Sequence, residues 1–101
     1  MINSISHRQI SHIAQQFKTP CWVYDASVIR RQIARLRQFD VIRFAQKASS
    51  NIHLLELMRT EGVLVDAVSV GEVERAVVAG YIPDANAKHA PIIFTADLLD
   101  E

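Results

Sequence analysis

Val41-Ile42-Arg43-Phe44-Ala45-Gln46-Lys47-Ala48-Ser49-Ser50-Asn51 is the stretch on which the reading of this chain turns. Its first half is short, apolar and rich in β-branched and aromatic residues, the composition of a strand. Its second half breaks into a lysine, small hydroxyl residues and an asparagine, after which apolar residues recur at helical spacing. One primary amine thus stands where a strand opens into a loop. In parallel α/β folds the carboxyl ends of the strands are where ligands are held. A lysine there serves as a solvated charge, as a point charge for phosphate, or as a nucleophile towards a carbonyl. Position alone favours the solvated charge, the common state of lysine.

Downstream, Ser49 or Ser50 can cap a helix over 51–61, with Ile52, Leu55 and Met58 as its buried stripe and Gly62 as its stop. Residues 63–68 read as a second strand, apolar on both faces as in a covered parallel sheet and interrupted by Asp66. Ser69-Val70-Gly71-Glu72 is a capping box. It opens a helix through Val73, Ala76 and Val77 that ends at Gly80. A polar loop leads to a third strand over 92–96, and Asp97 can cap a further helix. Upstream, Ser6-His7-Arg8-Gln9 is another capping box, and the apolar spacing predicts a helix over 7–17, stopped by Thr19-Pro20. Cys21-Trp22-Val23-Tyr24 reads as a strand. Asp25 caps a helix over 26–39, with Ile29, Ile33 and Leu36 on one side and Arg30, Arg31, Arg35 and Arg37 on the other. A solvated helix face accounts for those arginines.

Strands separated by helices of this length pair in parallel through right-handed crossovers. Their carboxyl ends then lie on one side. Lys47, Asp66 with Ser69, and Thr95 with Asp97 converge there, although capping by itself explains Ser69 and Asp97.

The 101 residues suffice for one small domain with a real core. Half are hydrophobic, and the 11 basic residues balance the 11 acidic ones, so no net charge draws the chain to nucleic acid or to an anionic membrane. Cys21 is the one cysteine, which excludes an intrachain disulfide. It is expected as a small buried hydrophobe beside Trp22. Met1-Ile2-Asn3-Ser4-Ile5-Ser6 has neither the basic nor the apolar region of a secretion signal. No window approaches the ~20 apolar residues of a membrane span. The expectation is a soluble cytoplasmic protein, and no residue is assigned to a metal.

With these segments placed, Phe44-Ala45-Gln46-Lys47-Ala48-Ser49-Ser50-Asn51 resembles the cofactor-lysine motif of the fold-type III, pyridoxal-phosphate-dependent decarboxylases. Val65-Asp66-Ala67-Val68-Ser69-Val70-Gly71-Glu72 is similar to that family's next signature. Gly80-Tyr81, Ile92-Ile93-Phe94-Thr95-Ala96-Asp97 and, upstream, Thr19-Pro20-Cys21-Trp22-Val23-Tyr24-Asp25 also fit, in the family's order and spacing. Within the family, Arg43-Phe44-Ala45-Gln46-Lys47 and Phe94-Thr95-Ala96-Asp97 look most like the branch that decarboxylates meso-diaminopimelate to L-lysine.

The resemblance implies that Lys47 forms the internal Schiff base with pyridoxal 5'-phosphate. It implies that Asp66 has an orienting role near the cofactor and that Ala45 is the small residue beside its ring. It also implies an eight-stranded, TIM-like barrel of the alanine-racemase type, joined to a β-rich domain in a homodimer. On that scheme residues 1–25 form a helix and strand that pack with the second domain. Residues 26–101 begin the barrel with about three of its strands. The ring-nitrogen acid, the glycine-rich phosphate loop and the cysteine segment lent across the dimer have no counterpart here. The chain therefore looks like the N-terminal part of such an enzyme, inactive alone, acting on a small amino-acid substrate when complete. Two alternatives stand beside this reading: a truncated chain that acts only by docking to a partner, and a related barrel such as another amino-acid decarboxylase or an alanine racemase.

Overall fold

The computed structural model describes residues 5–95. They form two compact units that divide after Leu36.

The first unit holds two helices. Helix α1 (His7–Phe17) starts at the expected capping box: Ser6 Oγ accepts from the Gln9 backbone N–H, and the Gln9 side chain accepts from the Ser6 N–H. Lys18 follows with φ 63°, a left-handed conformation that ends the helix. Helix α2 (Ala26–Ala34) is capped by Asp25, which accepts from the Ser27 N–H at 2.8 Å. It is shorter than the apolar spacing predicts. Its chain tightens into an i to i−3 bond from Leu36 to Ile33, leaving Ile33 buried and Leu36 exposed.

Residues 21–24 correct the sequence reading. They form no strand, because among the described residues they have no ladder partner. Apolar character alone does not make a strand; its backbone groups need a neighbour to pair with. Trp22 is consequently 91% exposed, and Cys21 is exposed where burial was expected.

The second unit is a three-stranded parallel sheet in the order β1 (Arg43–Ala45), β2 (Leu64–Ala67), β3 (Ile92–Phe94). Helix α3 (Ile52–Thr60) connects the first pair and α4 (Val70–Val78) the second. The register sets Ala45 opposite Asp66, and Asp66 opposite Ile93. The α/β class and the parallel topology are as expected. The strands are shorter than the apolar runs, since pairing covers only part of each run.

Helix α3 is capped by Asn51 rather than by a serine. Its side chain accepts from the N–H groups of His53 and Leu54, while the Ser50 hydroxyl donates to the Gln46 carbonyl. Gly62 takes φ 77° just past its end. Helix α4 is capped by Ser69, but Glu72 reaches one residue further back than a regular box and accepts from the Val68 N–H at 2.7 Å. Val77 is exposed, and Ala76, Ala79 and Tyr81 supply the buried side instead.

The core lies on one face of the sheet, where Leu55, Val65, Ala76, Ala79 and Tyr81 pack with Phe44, Ile52 and Ile92. The Tyr81 hydroxyl donates to the Val63 carbonyl at 2.6 Å inside it. Strand β2 thus alternates strictly, Val65 and Ala67 buried, Leu64 and Asp66 half-buried. The expectation of a strand covered on both faces is corrected: one face is covered and the other is open.

Candidate functional site

Parallel pairing brings the carboxyl ends of all three strands to one edge, and three polar side chains follow from it. Lys47 sits in a 3-10 turn (Gln46–Ala48) that begins directly after β1. Ala45, the last strand residue, is exposed; in the turn Gln46 is buried, and Lys47 and Ala48 are exposed. The small side chain and the amine are both open to solvent. Asp66 lies on the open face of β2, directly across from Ala45. Its carboxylate Oδ1 accepts a 2.8 Å hydrogen bond from the Thr95 hydroxyl. Thr95 follows β3, and its backbone N–H donates to the Ala67 carbonyl at 2.8 Å, which extends the pairing one residue past the strand.

Ser69 points to capping and nothing more, since its hydroxyl accepts from the Glu72 N–H. Asp97 and Ala96 lie outside the described residues. At the opposite, amino end of the sheet, the Arg43 guanidinium donates to the carbonyls of Val65 (3.2 Å) and Ala90 (2.7 Å). A cation therefore marks that end, and a carboxylate and an amine the other.

Gln46 was missed by the sequence reading. Its amide is 1% exposed, and neither polar atom has a hydrogen-bond partner among the described residues. An unpaired buried amide costs about 1–3 kcal/mol. A residue pattern gives no sign of it, because the 3-10 turn that starts at Gln46 ends the strand period of two.

In chemical terms the edge offers an accessible primary amine, a carboxylate with one oxygen already engaged, and an exposed alanine on the strand between them. Such a set suits an aldehyde-bearing ligand whose carbonyl carbon meets the amine. A groove of about 710 Å³ in the first unit, lined by Arg8, His12, Tyr24 and Asp25 among others, contains none of these groups.

Residues 25–98 match the model of the family described as pyridoxal-dependent decarboxylase, pyridoxal binding domain. The chain belongs to this family. Among its relatives, the diaminopimelate decarboxylase of Escherichia coli strain K12 is 55% identical over 97 residues, covering 96% of this chain and 23% of the relative. The diaminopimelate decarboxylase of Streptomyces coelicolor is 59% identical over 92 residues, covering 91% of this chain and 20% of the relative. A crystal structure of diaminopimelate decarboxylase superposes with a TM-score of 0.85 at 56% identity, over 93% of this chain and 22% of that one. The chain therefore spans less than a quarter of the length of these relatives, in their N-terminal, pyridoxal-binding part. The racemase alternative gives way to the decarboxylase family. No helix among the described residues is long and apolar enough to cross a membrane.

Proposed function

We propose that this chain carries the cofactor lysine of a decarboxylase that converts meso-diaminopimelate to L-lysine and carbon dioxide. The observation that supports this reading best is the placement of the Lys47 amine, exposed at the end of β1 beside Ala45 and one strand away from Asp66. The relatives' names supply the substrate.

The residues suit pyridoxal 5'-phosphate at its aldehyde end. Lys47 would supply the amine that holds the aldehyde carbon, Ala45 would leave room beside it, and the Asp66 carboxylate would orient the cofactor from the neighbouring strand. When bound, the cofactor supplies an electron sink for the pair left behind as the substrate's carboxylate departs. The side chains of this chain anchor and orient. The phosphate clamp and the ring-nitrogen acid come from other parts of the complete enzyme, a barrel that residues 26–101 begin and that works as a homodimer with a β-rich domain.

The test has two arms. Titrating pyridoxal phosphate into the chain should produce a visible absorbance band that Lys47→Ala removes. A chain with no Lys47-dependent band overturns cofactor binding by this chain alone. Replacing the matching segment of the Escherichia coli relative by this chain should preserve diaminopimelate decarboxylation, and Lys47→Ala in that chimaera should abolish it. A folded chimaera without activity overturns the substrate assignment.

A further inference from the structure

The hydrogen bond between Thr95 and Asp66 has a direction and a setting that define a role. Asp66 is half-buried on the open face, and among the described residues its carboxylate receives no side-chain donor other than the Thr95 hydroxyl, on Oδ1. A carboxylate has two oxygens, so one is occupied and the other is left for a ligand. Thr95 is itself held in place. Its N–H bonds to the Ala67 carbonyl, and the register that sets Asp66 opposite Ile93 puts Thr95 two residues further along, on the same face. Its branched Cβ also restricts the rotation of the hydroxyl. The donor is thus fixed by backbone pairing and by its own stereochemistry before any ligand arrives.

We infer that Thr95 is a positioning residue: by engaging Oδ1 it holds the Asp66 carboxylate in one rotamer, with the second oxygen presented to the cofactor. The inference rests on the reading of the open edge as a pyridoxal-phosphate site and adds a residue to it. Valine at this position keeps the branched shape and removes the donor; serine keeps the donor and removes a methyl group.

The experiment titrates pyridoxal phosphate into the chain and into Thr95→Val, Thr95→Ser, Asp66→Ala and the Asp66→Ala/Thr95→Val pair, following the Lys47-dependent band. Thr95→Val should weaken binding at least about tenfold, the effect of losing one hydrogen bond to a charged group. Thr95→Ser should stay within about twofold of the unsubstituted chain. In the Asp66→Ala background, Thr95→Val should cause no further loss, which a general structural role of Thr95 would not produce. Full affinity in Thr95→Val, or an equal loss in both backgrounds, overturns the inference.

A second readout needs no cofactor. Scalar couplings about the Asp66 Cα–Cβ bond should report one rotamer in the unsubstituted chain and in Thr95→Ser, and averaging in Thr95→Val. Averaged couplings in the unsubstituted chain overturn the positioning role. A missing absorbance band alongside fixed couplings overturns the cofactor reading and leaves Thr95 as the residue that orients Asp66.

Discussion

Val65 and Asp66 are neighbours in one strand and belong to different chemistries. Val65 is fully buried against Leu55 and Ala76, on the face that two helices cover. Asp66 faces the other way, half-exposed, with Thr95 on one carboxylate oxygen. Past the end of β1, where a 3-10 turn begins, Gln46 is buried while Ala45 and Lys47 are exposed. In β2 the strand period of two thus divides labour between neighbours: one face generates stability and the other holds a group that meets a ligand. A substitution on the covered face should cost folding with little specific effect on chemistry, and one on the open face the reverse.

Leu55→Ala strikes the covered face hardest. Leu55 has no exposed surface, so truncation should cost about 2–5 kcal/mol in a urea unfolding experiment followed by circular dichroism. A loss well under that range would mean that this cluster is not the core.

Tyr81→Phe comes next. It leaves the Val63 carbonyl without its buried donor and should cost about 1–3 kcal/mol near neutral pH. It should also change the response to alkali. Burial pushes the Tyr81 phenol from 10.0 up to about 12, with the Arg59 guanidinium pulling the other way. The folded chain then holds this proton more tightly than the unfolded one. Its contribution to stability is intact below pH 10 and is lost as pH rises towards 12. Thermal melts across that window should fall more steeply for the unsubstituted chain than for Tyr81→Phe.

Lys47→Ala should have the smallest effect on folding, within about 0.5 kcal/mol, because the amine is exposed and takes no part in the core. The same variant should lose the cofactor band entirely. A large destabilisation would show that the open face supports the fold after all.

Much of this division was legible in the sequence, for reasons that differ between elements. Ser6 with Gln9, Asp25 and Ser69 announced three helix starts because capping is a local interaction between residues a few positions apart. The order of strands and helices announced the parallel sheet, and with it the common edge of Lys47, Asp66 and Thr95. Most of what failed depended on a distant partner. Residues 21–24 have the composition of a strand and no strand to pair with. The apolar run at 63–68 reads as covered on both faces, yet only one face meets a helix layer. The choice of Asn51 over Ser49 or Ser50 as a cap was a matter of one turn of backbone, below the resolution of a residue pattern. The Thr95 hydroxyl on Asp66 joins residues 29 apart, and only the register reveals it.

Arg43 has a consequence for how this sheet comes apart. Rooted in β1, its side chain grips the carbonyl of Val65 in β2 and that of Ala90 just before β3. The backbone N–H of Leu64 bonds outward to Ile42 on one side, and that of Val65 to Pro91 on the other. Peeling either outer strand from β2 therefore also breaks a contact made by the guanidinium. The three strands should exchange their amide hydrogens as one cooperative unit, and native-state hydrogen exchange should show Leu64 and Val65 released in the same opening event.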